Sequence, residues 1–324
     1  MAEGITPAIH VHDPTRGRFG NGERIRHCQE ALLGPSGLDH IAFQTSGQDF
    51  TVDRLAERPE PGRTEVERQH LSELGNQLAA RFAAFDAAVR PWQSGVLIRL
   101  VLHGAKRLVV CNAVTAEQLL VASAPLDKDA PLDVALEPDR RASTLTDTLR
   151  ELVKLSSQDP GGFHTEPADA VELIGTAVAP GEHLDVTGVP GRVADVLTAA
   201  VDPADLHYAA YVRGGVWQCS ADVLGHPKLA RFFSRAATVE MRRWYCQKFG
   251  SGLCTGPESL IGQLTLEAED TIGQIGRMVI DVERGAFFLY RLGDDDFVLG
   301  LTLDQGQVTN ADLRIAKVAD KLGG

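Results

Sequence analysis

The chain repeats itself, and the repeat limits what it can fold into. Residues 23–44 (ERIRHCQEALLGPSGLDHIAFQ) align without a gap on residues 191–212 (GRVADVLTAAVDPADLHYAAYV) at an offset of 168. Arg24 meets Arg192, Ile25 meets Val193, Cys28 meets Val196 and Leu33 meets Val201. Pro35 meets Pro203, Leu38 meets Leu206 and Phe43 meets Tyr211. A second block, LVVCNAVTAEQLLVASA (108–124), aligns on FFLYRLGDDDFVLGLTL (287–303) at an offset of 179. Few identities are shared. What recurs is the order of apolar run, polar turn and apolar run, the mark of one supersecondary unit used twice. A length of 324 residues agrees with two domains.

Each half reads as helix, two strands, long helix, three strands, helix. In the first, Ile25, Cys28 and Leu32 recur at helical spacing, and Gly34-Pro35-Ser36-Gly37 stops that helix. Leu38–Gln44 and Phe50–Leu55 read as a hairpin around Ser46–Asp49, and Arg58–Arg63 as a loop. Thr64 and Glu67 form a capping-box pattern, followed by Leu71, Leu74, Leu78, Phe82, Phe85 and Val89 on one helix face. Pro91 ends that helix. Strands are expected at Val96–His103, Arg107–Val114 and Gln118–Ala124, then a helix carrying Leu145, Leu149, Leu152 and Leu155.

The second half gives a helix at Pro190–Val201 and a hairpin of Leu206–Val212 with Val216–Asp222 around Gly214-Gly215. A long helix is expected over Pro227–Phe249 and strands at Ile275–Val282, Ala286–Leu292 and Phe297–Leu303. Asn310 is expected to cap a final helix with Leu313, Ile315, Val318 and Leu322. Residues 251–271 have no counterpart in the first half. Val171–Val178 and His183–Val189 belong to the connection or add an edge strand.

The composition, 44% hydrophobic and 23% charged, excludes global disorder and a fibrous repeat. Lys+Arg number 32 against 44 Asp+Glu, a net charge of -12. That charge repels phosphate backbones and anionic lipid, so neither a nucleic-acid nor a membrane partner is expected. No apolar run reaches the roughly 18 residues of a bilayer span. The N-terminal sequence lacks the basic-then-apolar order of a signal peptide, so a cytoplasmic location is expected. Cys28, Cys111, Cys219, Cys246 and Cys254 are an odd, scattered set that fits reduced, buried thiols.

Motifs for chemistry are sparse. Walker A, GxGxxG after a strand, and GxSxG are all missing from the sequence, and the Gly250, Gly252, Gly256 cluster follows a helix. His10-Val11-His12-Asp13 is the sharpest metal-like cluster, since alternation on a strand puts both imidazoles on one face. The competing reading is a solvated arm. Cys219, Cys246, Cys254 and His226 lack the spacing of a zinc clip. Asp294-Asp295-Asp296 reads as a solvated turn before a cation site. Arg242-Arg243-Trp244-Tyr245 combines residue types enriched in interface hot spots. The alternative there is an amphipathic helix with both arginines outward. No catalytic residue and no cofactor are expected.

The element order resembles the roadblock family, that of dynein light chain and bacterial Mgl-type proteins. The stretch most similar is RGAFFLYRLGDDDFVLGLTLDQGQVTNADLRIAKVADKL, which looks like that family's final hairpin, acidic loop and closing helix. The resemblance implies an α+β fold of two roadblock-like domains. Each would be a five-stranded antiparallel sheet with flanking helices, and the two would form an intramolecular pseudo-dimer. The boundaries are a flexible arm at 1–20, domain 1 at 21–155, a linker at 156–187 and domain 2 at 188–324. It also implies a non-catalytic regulator of a small GTPase or a signalling scaffold. The expected interface residues are Leu71, Leu78, Phe82, Phe85, Arg242, Arg243, Trp244 and Tyr245, with charge reversal at Arg242 and Arg243 weakening partner binding without unfolding. The alternatives are a metal-dependent hydrolase using His10, His12 and cysteines, and a self-associating structural protein.

Overall fold

The computed structural model describes residues 9–14, 21–34, 37–45, 47–55, 62–126, 136–155, 183–234, 237–254, 259–293 and 295–323. The expected linker up to residue 182, the run Val171–Val178 and Asp294 lie outside the described residues. The chain divides into two compact units. Unit 1 comprises Met1–Ala83, Arg99–His164 and Glu267–Gln274, and unit 2 comprises Ala84–Ile98, Thr165–Leu266 and Ile275–Gly324.

In unit 1 the strands are β1 (His10–His12), β2 (His40–Thr45), β3 (Gln48–Asp53), β4 (Leu97–Gly104), β5 (Arg107–Ala113) and β6 (Gln118–Pro125). The helices are α1 (Asn21–Leu33), most of α2 (Arg63–Val89) and α3 (Glu137–Leu155). The sheet is antiparallel throughout, in the order β1-β3-β2-β6-β5-β4.

Unit 2 holds β7 (Asp185–Gly188), β8 (Tyr208–Arg213), β9 (Val216–Asp222), β10 (Ile275–Val282), β11 (Gly285–Arg291) and β12 (Phe297–Thr302). Its helices are α4 (Arg192–Ala200), α5 (Val239–Cys254), the first turns of α6 (Leu260–Ile272) and α7 (Val308–Gly323). Its order is β7-β9-β8-β12-β11-β10, the same permutation as in unit 1. Strands β2 and β8 coincide residue for residue at the offset of 168.

Alternation along the strands puts helices on both faces of each sheet. In unit 1, Ala42 and Gln44 lie against Gly75 of α2, whereas the Phe43 ring has the Arg24 guanidinium of α1 over it at 5.1 Å. In unit 2, Leu299 meets Gly250 of α5, while the neighbouring Gly300 meets Ile315 of α7. Strands packed on both faces read as continuous apolar runs, which is why the strand segments were plain in the sequence.

Four expectations need correction. Among the described residues each unit has six strands, because β1 pairs with β3, and β7, within the edge-strand alternative at His183–Val189, pairs with β9. These edge strands are three and four residues long and carry little periodic signal. The helix expected over Pro227–Phe249 is two elements, a 3-10 turn at Pro227–Phe232 and then α5. Thr238 starts α5, its Oγ1 accepting the Met241 N–H at 3.3 Å as an N-cap does. Within 251–271, residues 251–254 finish α5 and residues from Leu260 on form α6, where Ser259 Oγ accepts the Gly262 N–H at 3.0 Å. Finally, Asn310 lies inside α7, and the turn before that helix is capped by Asp304.

Candidate interaction surface

The surface is built on α5. Two adjacent arginines fix the rotation of this helix. Arg242 is buried, donating from Nη1 to Ser94 Oγ at 2.8 Å and from Nη2 to the Phe232 carbonyl at 2.9 Å. Burial pulls its pKa down. Arg243 donates from Nε and Nη2 to the two carboxylate oxygens of Asp222, both at 2.9 Å. Its Nη1 also lies 3.0 Å from Asp185 on β7. Those hydrogen bonds to Asp222 push its pKa up. The arginine pair is therefore an anchor to the sheet. Neither guanidinium is a loose surface cation, so charge reversal there attacks the fold.

With Arg242 buried and Arg243 tied to the sheet, the exposed Met241, Trp244 and Lys248 and the half-buried Tyr245 form one stripe at positions i, i+3, i+7 and i+4. Trp244 is 52% exposed. Its ring centroid is 4.8 Å from that of Tyr245 in an edge arrangement, and Lys248 Nζ lies 4.8 Å from it on the same helix. A cation over an indole and an edge-on ring hold the tryptophan in place with much of its apolar area in water. Trp and Tyr pre-ordered in this way are suited to a binding hot spot.

Unit 1 carries the same anchor without the stripe. Arg68 of α2 donates to Asp53 at the end of β3, at 2.7 and 3.0 Å. Asp222 stands at the end of β9 as Asp53 does at the end of β3. The exposed positions of α2 are Arg63, Glu65, Val66, Gln69, His70, Glu73, Asn76, Gln77, Ala80, Ala83 and Ala87, with no Phe, Tyr or Trp among them. Leu71, Leu78, Phe82 and Phe85 are buried within the chain. The expected interface residues thus fall into three environments: an apolar helix face inside, an arginine anchor, and the exposed Trp244 with the half-buried Tyr245 beside it.

A second ion pair recurs between strand and closing helix. Arg99 of β4 donates to Asp139 of α3 at 2.7 Å, and Arg277 of β10 pairs with Asp312 of α7. Arg99 lies opposite Asn112 in the ladder and Arg277 opposite Tyr290, which is the same register. Tyr290 Oη donates to Asp312 Oδ1 at 2.7 Å. None of these pairs is local in sequence, and the reading of the sequence missed them. Asp53 and Asp222, and Arg99 and Arg277, hold equivalent strand positions, but each pair falls one residue off the offsets of 168 and 179.

The metal candidates do not converge. His10 and His12 are exposed on β1, and His10 Nδ1 lies 3.4 Å from Asp53 Oδ2. Among the described residues no group of three or more His, Cys, Asp or Glu side chains could hold a metal ion. Cys28, Cys111, Cys219 and Cys246 are free thiols and buried. Burial pushes Cys28 up to about 12, so it is not a poised nucleophile. Asp296 serves the turns, accepting from Tyr211 Oη at 3.1 Å and from the Gly214 N–H at 2.9 Å. No described helix is long and apolar enough to cross a membrane.

No family model matches the chain, and no curated protein matches it. Solved structures do. One is the gliding protein MglB from Thermus thermophilus, 19% identical, covering 40% of this chain and 90% of that one with a TM-score of 0.29. Another is an MglB with a tetrameric arrangement, at the same identity, coverages and TM-score.

Proposed function

We propose that the chain is a non-catalytic regulator of a small GTPase, or a signalling scaffold, made of two roadblock-like units paired within one chain. The observation that carries the protein-binding part is the Met241/Trp244/Tyr245/Lys248 stripe, held outward by Arg242 and Arg243. An exposed Trp244 ordered against the half-buried Tyr245 offers apolar area at little entropic cost. The shared strand permutation of the two units supports an internal duplication. The small GTPase as partner comes from the resemblance of the C-terminal stretch to the roadblock family.

The test is an affinity capture with the full chain and with Trp244→Ala, each with a GTP analogue and with GDP. A small GTPase enriched in one nucleotide state by the wild-type chain and lost with Trp244→Ala supports this reading. Equal capture by both chains moves the surface elsewhere, and no GTPase in either state overturns the partner assignment.

A further inference from the structure

On the opposite face of the unit 2 sheet, α4 and α7 enclose a half-open groove of about 400 Å³. Val196 of α4 and Leu313 and Val318 of α7 give it an apolar floor. Arg314, Lys317 and Lys321 of α7 line it as well, so that 314, 317, 318 and 321 form one stripe along the helix. Leu313 is 40% exposed, whereas Val318 is buried. Arg314 is held by Asp205 through bonds of 3.1 and 2.7 Å. Lys317 and Lys321 are exposed, and their ammonium groups have no ion-pair partner among the described residues. Arg192 extends the positive rim, donating to the Lys321 carbonyl at 3.0 Å.

We propose that this groove binds an acidic amphipathic helix of a partner protein. Its apolar face would lie on Val196 and Leu313, and its carboxylates would meet Lys317 and Lys321. The argument is charge complementarity. The chain carries a net charge of -12, yet this groove is lined by three cations, Arg314, Lys317 and Lys321, against the one carboxylate of Asp205, with Arg192 beside Lys321. A basic groove on an acidic molecule draws an acidic segment to one place while the remaining surface repels it. The shape selects a rod: two helices flanking an apolar floor match the helix-in-groove mode. A planar anionic bilayer would meet the repulsion of the whole chain. This face is separate from the α5 stripe, and the inference does not rest on the function proposed above.

The test uses the full chain and a fluorescein-labelled synthetic amphipathic peptide, Leu on one helical face and Glu on the other. Fluorescence anisotropy should show saturable binding that weakens with salt. Lys317→Glu/Lys321→Glu should weaken it at least tenfold, Leu313→Ser should weaken it, and Trp244→Ala should leave it unchanged. The same peptide with Lys in place of Glu should not bind. Circular dichroism of each variant establishes that the fold is intact. The proposal is overturned if the Glu peptide causes no anisotropy change or binds the double variant as tightly. It is also overturned if the double variant instead loses binding to phosphatidylglycerol vesicles, or loses self-association in sedimentation, while the peptide never binds.

Discussion

The Arg243 guanidinium holds Asp222 as the Arg68 guanidinium holds Asp53, through Nε and Nη2 in both units and at distances between 2.7 and 3.0 Å. Each pair ties a helix to the end of a strand on the same side of its sheet. Asp53 and Asp222 are almost fully buried, so removing either arginine leaves a buried carboxylate without its guanidinium. Arg243→Ala should cost about 3 kcal/mol in a urea titration, and Arg68→Ala a similar amount. A loss below about 0.5 kcal/mol at Arg243, the range of an ordinary surface position, would sink the anchor reading.

Trp244→Ala should behave in the opposite way. The side chain is half in water, so the expected stability change is within about 1 kcal/mol. Partner binding should fall at least tenfold, about 1.4 kcal/mol or more. Thermal melting beside binding isotherms separates the two effects. A variant that melts far below the wild type would make Trp244 a packing residue.

Acid should weaken unit 2 through His207. Its ring is buried just before β8, and Nδ1 accepts the Leu303 N–H at 2.8 Å. Burial lowers its pKa from 6.5 to about 4. The unfolded chain therefore takes up a proton near pH 6.5 and the folded chain only near pH 4. Stability is complete above pH 6.5 and declines between those values, by up to about 3 kcal/mol. In unit 1 His40 acts in the same direction, with its pKa lowered by burial to about 4. Asp39, raised by burial to about 6, opposes it. His207→Asn keeps an acceptor and does not titrate, so its urea midpoint should fall less between pH 7 and pH 4.5 than that of the wild type. Parallel pH profiles for the two proteins would remove His207 as the cause.

Gly285 opens β11 with φ at +103°, and a Cβ there would stand 2.1 Å from the Thr302 carbonyl oxygen. Backbone does not yield as a side-chain tip does. Gly285→Ala should therefore cost more than about 2 kcal/mol, from strain and from the clash together. A thermal shift of only a degree or two would contradict this.

Much of the fold was legible from the sequence because both faces of each sheet are covered. Runs such as Ile275–Val282 carry their apolar signal residue after residue, and the structure returns that strand with the same bounds. The Gly214-Gly215 turn was equally plain, with both glycines at positive φ. The break before α5 was harder to see. Leu229, Phe232 and Phe233 continue a helical spacing into a segment that the Thr238 cap sets apart. Helix α6 could have been found, since the buried Ile261, Leu264, Ala268 and Ile272 step by three, four and four after a capping serine. The roles of Arg242 and Arg243 were not legible. Composition alone gives them a binding surface, whereas their partners Ser94 and Asp222 lie far away in the chain or on another strand.

Leu299 and Gly300 are neighbours in β12 that look to opposite sides, one to α5 and the other to α7. That single alternation makes unit 2 a partition. Whatever settles on the aromatic stripe of α5 leaves the basic groove open, since a layer of strands stands between the two. A chain of this kind can be bivalent with no hinge at all. Two guests held on a wall one sheet thick would be kept at a fixed separation, and each would raise the local concentration of the other.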